Sequence, residues 1–309
     1  MSAISRRTVL GTLAASLGAP ALLRAAKGRG RRLPIAFSTL GCPAWTWPTV
    51  LEQADRLGYS GIELRGIQGD MDLPKRPELT GDARKQVRAE LQSRGLVITD
   101  LGGSAHMHEK DPALRAAQLD DGKRFIDLAH ELGVPYVRLF GDKLTPGEPK
   151  EEVIKRIVDG FQQMAAHAQP AGVTVLIESH GDFTNSADLK TIIDGVGSPA
   201  FALLWDAHHT FVAGGEAPAD TYKVLGRYVR HTHLKDSKPE GNEHRYVLTG
   251  TGAVPVKEQV RVLATNGYKG FYCYEWEKKW HPEIEEPEVA FPNYVKVMTE
   301  YLAAAGVKA

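Results

Sequence analysis

Four separate stretches of the chain are short β-type runs that stop on a side chain able to bind a cation. They are Val175-Leu176-Ile177-Glu178, Leu204-Trp205-Asp206, His231-Thr232-His233 and Cys273-Tyr274-Glu275. If these runs are successive strands, three carboxylates and one imidazole meet at their ends. Bare carboxylates crowded above apolar strands are costly, and a divalent cation removes that cost by supplying the opposite charge. Three oxygen donors and one nitrogen suit Mn²⁺, Mg²⁺ or Co²⁺ better than a thiolate-rich zinc centre, with Zn²⁺ still admissible. The blander alternative is a set of separate salt bridges to Lys235, Arg138 or Arg65. Strand alternation puts Thr174, Leu176 and Glu178 on one face, and likewise Phe271, Cys273 and Glu275. His231 and His233 share a face as well. His233 is level with the other ligands and takes the metal; His231 lies one layer deeper, as support or core.

The elements that must position these groups follow from the apolar pattern. Strands are expected over Ile35–Leu40, Gly61–Leu64, Val97–Leu101, Tyr136–Phe140, Val173–Glu178, Phe201–Asp206, Val229–Leu234 and Phe271–Glu275. Helices are expected between and after them, over Pro48–Leu57, Asp82–Ser93, Pro112–Leu132, Glu151–Ala168, Ser186–Gly195, Ala217–Leu225, Val256–Asn266 and Glu288–Ala303. Glycine follows several of these helices, as in Leu57-Gly58 and Leu132-Gly133, where it provides a left-handed cap. Such alternation demands a parallel sheet, and eight units fit a closed α/β barrel of the (β/α)₈ type. An open nucleotide-binding sheet would need a glycine-rich first turn, and Gly41-Cys42-Pro43-Ala44-Trp45 is no phosphate cradle. One barrel over residues 34–309, with no second domain, is the reading.

In such a barrel the chemistry sits at the C-terminal ends of the strands. Of eleven histidines, His106, His108, His180, His208, His209, His231 and His233 fall at or just past predicted strand ends. His244 and His281 lie on the loops after the last two strands, and only His130 and His167 belong to helices. Glu63, ending the second strand, is expected to touch substrate or to pair with Arg65. His106 is expected to line the pocket. Trp45, Trp205, Trp276, Trp280 and Phe37 could stack on an apolar ligand face or simply pack. The acidic segment from Trp280 to Pro287 reads as a lid or a contact between copies, leaving an oligomer open.

The chain has 309 residues, with 38 basic and 38 acidic side chains. Zero formal charge disfavours a general nucleic-acid binder. Cys42 and Cys273 cannot build a disulfide scaffold or a four-cysteine zinc site. They read as small hydrophobes, although a closed barrel would make their strands neighbours and so permit a disulfide. No acidic residue precedes Glu52, and Ser5-Arg6-Arg7-Thr8-Val9-Leu10-Gly11 leads into a short apolar run rich in alanine. This is the make-up of an export signal over residues 1–26, and the paired arginines resemble the twin-arginine type, which crosses the membrane with its cargo folded. A bacterial periplasmic or secreted protein is expected, with the twin-arginine export machinery as a partner. No other segment is apolar enough to span a bilayer, so no stable membrane association is expected after cleavage.

These residues carry a family resemblance. Ile177-Glu178-Ser179-His180, Trp205-Asp206-Ala207-His208-His209, His231-Thr232-His233-Leu234-Lys235-Asp236, and Gly270 followed by Glu275 resemble the xylose-isomerase-like TIM barrels. That group is the sugar phosphate isomerase/epimerase superfamily, with endonuclease IV a more distant branch. The resemblance implies one divalent ion on Glu178, Asp206, His233 and Glu275. It also implies that Glu178 and Glu275 exchange protons with a small carbohydrate, that His209 contacts it, and, by a looser match, that Arg245 does. Lys235, Lys238 and Arg245 could bind an anionic substituent. The implied activity is isomerisation or epimerisation of a ketose or keto-sugar through an enediolate.

Three rivals stand beside it. A metal-dependent lyase or dehydratase of an inosose- or 3-keto-glycoside-like substrate would share the first proton abstraction. A non-catalytic sugar-binding module would need no paired carboxylates. An endonuclease IV-like nuclease would require further zinc ligands where His244 and Tyr246 stand, and a basic surface for phosphates.

Overall fold

The computed structural model describes residues 32–308, so the leader expected over residues 1–26 lies outside them. The first half of the chain runs β1 (Ile35–Ser38), α1 (Trp47–Leu57), β2 (Gly61–Leu64), α2 (Ala83–Arg94), β3 (Val97–His106), α3 (Pro112–Leu132), β4 (Tyr136–Phe140) and α4 (Lys150–Ala171). The second half runs β5 (Thr174–Glu178), α5 (Ser186–Val196), β6 (Phe201–Asp206), α6 (Ala207–Val212), α7 (Pro218–Leu225), β7 (Val229–Leu234), β8 (Asp236–Glu240), β9 (Glu243–Val247), α8 (Val256–Thr265), β10 (Tyr272–Tyr274) and α9 (Pro287–Ala304).

Eight parallel strands close in the order β1-β10-β7-β6-β5-β4-β3-β2, the single α/β barrel read from the sequence. The last strand meets the first through Ala36 opposite Cys273. The helix signals hold locally. Thr46 caps α1 by accepting from the Thr49 backbone N–H at 3.3 Å, and Gly58 ends it with φ of 83°. Cys42 and Cys273 are free, buried thiols, so the disulfide that neighbouring strands would permit is not formed. Among the described residues, no helix is long and apolar enough to cross a membrane.

Apolar packing occupies two zones. The larger lies between the barrel wall and the helices and includes Phe37, Tyr59, Phe161, Trp205 and Phe291. The smaller fills the lumen, where Leu176, Ala202 and Leu204 meet over Tyr136. Burying each large side chain contributes about 1.5–3 kcal/mol.

Four departures from the expected elements bear on function. β1 stops at Ser38, whose hydroxyl accepts from the Leu40 backbone N–H and turns the chain into a short 3₁₀ segment. Thr39 Oγ1 then accepts from the N–H groups of Arg65 and Gly66, tying the mouth ends of β1 and β2. β3 continues to His106 instead of ending at Leu101. Helix α6 starts directly after β6 because the Asp206 carboxylate accepts from the N–H groups of His208 and His209. Finally, the loop after β7 is an antiparallel hairpin, β8 on β9.

Asp236 organises that hairpin and the turn behind it. Its carboxylate accepts from the backbone N–H groups of Ser237, Gly250, Gly252 and Val254 at 2.9–3.1 Å. Gly252 has to be glycine, since a Cβ there would stand 2.0 Å from Asp236 Oδ1.

Candidate active site

The four strand-end residues converge. Glu178 ends β5, Asp206 ends β6, His233 lies in β7, and Glu275 directly follows β10. One donor atom from each lies within 4.8 Å of all the others, and all four residues are buried. His233 Nδ1 stands 3.2 Å from Glu275 Oε2, 3.4 Å from Glu178 Oε1 and 3.8 Å from Asp206 Oδ2. That nitrogen has no hydrogen-bond partner.

His233 is aimed from below. Its Nε2 meets Glu63 Oε2 at 2.7 Å, and His231 Nε2 meets the same oxygen at 3.0 Å. His231 thus occupies the deeper layer expected of it, together with Glu63 and Cys273. With Nε2 engaged by Glu63, Nδ1 is the ring atom that faces the three carboxylates.

Cations surround the cluster. Lys235 Nζ pairs with Asp206 Oδ2 at 2.6 Å, with Glu277 Oε1 at 2.8 Å, and with Glu275. Arg138 Nε is 3.0 Å from Glu178 Oε2. Arg65 and Arg138 approach each other across Gly102, where a Cβ would come within 2.6 Å of Arg65 and 2.9 Å of Arg138. The salt bridges considered as an alternative are therefore present for Lys235 and Arg138, yet they do not splay the four ligands apart.

The charge balance sets the protonation states. Burial raises Glu178, but Arg138 and His233 overcome it and hold the carboxyl down at about 2. Glu275 is also buried, and His233 and Lys235 hold it well below the usual carboxylate range. Asp206 is raised by burial and by its two carboxylate neighbours, with Lys235 opposing them. Burial disfavours the charged Lys235, but Asp206, Glu275 and Glu277 keep its ammonium protonated. His209 reaches Asp206 with Nε2 at 3.4 Å, and burial followed by the Lys235 charge lowers its pKa to about 3.

The donor set fits a divalent cation on direct grounds. A buried imidazole nitrogen without a partner points into three carboxylates, two of them held as anions. Glu178, Asp206, His233 and Glu275 could hold such an ion, with Lys235 and Arg138 sharing the compensation of charge.

The other expected contacts divide. His209 sits beside Asp206. His106 lies on the mouth side of β3, where Nε2 meets Glu109 Oε1 at 3.0 Å. Glu63 and Lys235 are wholly buried, beneath and beside the four converging residues rather than open to solution; Glu63 engages both imidazoles through Oε2 alone, and its Oε1 has no hydrogen-bond partner. Arg245 is exposed on β9, opposite Lys238 in the hairpin register. Sequence reasoning missed Glu277 and Tyr246, whose hydroxyl donates to Glu277 at 2.8 Å. The two-residue step from Glu275 to Glu277 was the available signal.

Residues 51–297 match the family described as xylose isomerase-like TIM barrel. The chain is 25% identical over 232 residues to the fructoselysine 3-epimerase of Shigella flexneri, covering 72% of this chain and 82% of that one. It is 24% identical over 284 residues to the L-ribulose-5-phosphate 3-epimerase of Escherichia coli K12, covering 90% and 98%. Among solved structures, the IOLI protein with a bound zinc atom aligns at a TM-score of 0.74 and 18% identity, over 88% of this chain and 99% of that one.

Proposed function

The chain belongs to the xylose isomerase-like TIM barrel family, and we propose that it is a divalent-metal-dependent isomerase or epimerase of a ketose or keto-sugar. The observation that carries the proposal is the pair of carboxylates, Glu178 and Glu275, flanking His233 Nδ1 in one buried cluster with Asp206. Two relatives whose names are sugar 3-epimerases support the reaction class. A solved structure of the same fold, the IOLI protein, holds a zinc atom, which is compatible with a metal-dependent reading.

A bound divalent cation would supply Lewis acidity at the substrate carbonyl and so ease loss of the neighbouring C–H proton. The protein's own residues do the rest. Glu275, paired with the Lys235 ammonium, takes the proton on one side of the substrate carbon, leaving an enediolate. Glu178, held by Arg138, is placed to take part from the other side. Return of a proton to the opposite face inverts the centre, and return to the adjacent carbon moves the carbonyl. His209, neutral, donates a hydrogen bond to a substrate oxygen. Lys235 and Arg138 keep the two carboxylates ionised without contacting the reacting carbon.

Deuterium exchange tests this. The metal-loaded protein is incubated in D₂O with a panel of ketoses and 3-keto-glycosides, and label beside the carbonyl is followed by NMR. Exchange with a change of configuration or carbonyl position is expected. Glu275→Gln should slow it by about 10²–10⁴-fold at saturating metal. Exchange accompanied by loss of water or another leaving group identifies the lyase, and no exchange with any substrate leaves only a binding module.

The leader belongs to the same reading. A twin-arginine signal over residues 1–26 would deliver the barrel folded to the periplasm or medium, where unphosphorylated sugars are the available substrates.

A further inference from the structure

Where β3 leaves the barrel, the chain sets three more potential ligands side by side. His106, His108 and Glu109 each offer a donor atom within 4.8 Å of the others. His106 Nε2 lies 3.0 Å and His108 Nε2 3.9 Å from the same oxygen, Glu109 Oε1. The two imidazoles stack, with centroids 4.7 Å apart and planes 23° from parallel. Two rings thus turn the same edge toward one carboxylate oxygen. The barrel-mouth cluster uses none of these groups.

The segment is fixed from several sides. The Met107 N–H donates to the Phe140 carbonyl of β4 at 2.9 Å, and the His106 N–H donates to Gln118 Oε1 of α3 at 3.1 Å. Arg115 of α3 donates to the Met107 carbonyl at 3.0 Å, and Arg156 of α4 to the His108 carbonyl at 2.7 Å. Arg156 is itself clamped by both oxygens of Glu148 at 2.8 Å. Backbone pinned by two helices and a strand presents its ligands already ordered, which removes much of the entropy cost of chelation.

The electrostatics agree with a ligand role. Burial, followed by the neighbouring His106, lowers the His108 pKa, so its ring is neutral and carries a free lone pair. The side chains of His106, His108 and Glu109 are 27%, 15% and 22% exposed, so water can complete a coordination shell.

We propose that His106, His108 and Glu109 form a second divalent-cation site on the barrel rim, separate from Glu178, Asp206, His233 and Glu275. Two imidazole nitrogens and one carboxylate oxygen, with positions left open to solvent, suit Zn²⁺ or Co²⁺ and resemble the ligand count of exposed zinc centres. A row of side chains leads from the mouth cluster toward the rim, ending at Asp142, whose charge acts on His108. Asp142 Oδ1 is 3.2 Å from His180 Nδ1, the His180 ring centre is 5.3 Å from that of His209, and His209 reaches Asp206. The proposal does not depend on which reaction the mouth performs.

The test is metal stoichiometry. Purified protein is stripped with chelator, dialysed, and titrated with Co²⁺ by absorbance and with Zn²⁺ by calorimetry, with thermal melts confirming the fold of each variant. Two equivalents are expected for the parent protein. The double variant His106→Ala/His108→Ala should retain one, and Glu178→Gln/Glu275→Gln should retain the other. Glu109→Gln should weaken the rim equivalent alone, and it decides the matter should the double histidine variant fail to fold. A single equivalent that survives in the histidine and Glu109 variants overturns the proposal, and so do two equivalents untouched by them.

Discussion

One carboxylate oxygen of Glu63 holds two imidazoles at once, His231 and His233. By engaging His233 Nε2 it fixes the tautomer and turns Nδ1 toward Glu178, Asp206 and Glu275. Glu63→Gln should therefore weaken divalent-metal affinity at the mouth by about 10–100-fold while the thermal melt of the metal-free protein stays cooperative. Titration showing parent affinity in that variant would remove Glu63 from the positioning role. The convergence of Glu178, Asp206, His233 and Glu275 was legible because strand alternation fixes which side chains enter a lumen. Glu63 was singled out at the end of β2, but its hold on His231 and His233 was not legible, because β2 and β7 are separated by β1 and β10 around the barrel, and a contact across the lumen leaves no trace in strand order. Lys235 was read two ways, as a salt-bridge partner of these carboxylates or as an anion binder, and the structure shows the ion pairs. Its two-residue step from His233 places it on the same inward face, where three carboxylates surround it.

At the level of elements, the eight strands and their helices follow the apolar periodicity closely, and the departures are all polar. The hairpin strands Asp236–Glu240 and Glu243–Val247 carry charged and turn-forming residues without apolar alternation, so nothing in their composition marks them. Helix α6 is six residues long, and its start signal is Asp206, which doubles as a candidate ligand. The extension of β3 runs through Gly102, Gly103 and Ser104, residues that ordinarily break a strand. The Gly250-Thr251-Gly252 turn, which invites comparison with nuclease signatures, has a structural role here as donor to Asp236. Asp236→Ala leaves four backbone N–H groups without that acceptor, and the loss in unfolding free energy should exceed about 2 kcal/mol. Chemical denaturation measures it, and a loss within a few tenths of a kcal/mol would show that the turn holds without the carboxylate.

For the molecule as a whole, equal numbers of acidic and basic side chains leave no net field to gather polyanions. The candidate chemistry depends instead on local compensation within the barrel. The proposed export is the other reading that concerns the entire chain. Residues 1–33 fused to a reporter that is active only after folded export should give periplasmic activity, and Arg6→Lys with Arg7→Lys should leave it in the cytoplasm. Unchanged delivery by the lysine variant would refute the twin-arginine assignment.

The two thiols carry a practical consequence. Cys42 and Cys273 are enclosed, and burial, joined by nearby Glu288 and Glu63 respectively, keeps both protonated well past neutral pH. An alkylating reagent can reach neither until the wall of strands gives way, so the protein contains its own stopwatch for barrel opening. Mass spectrometry of iodoacetamide-treated samples should find both sulfurs unmodified in native buffer and modified together as denaturant rises. Early labelling of one alone would mean that the first or last strand detaches before the rest.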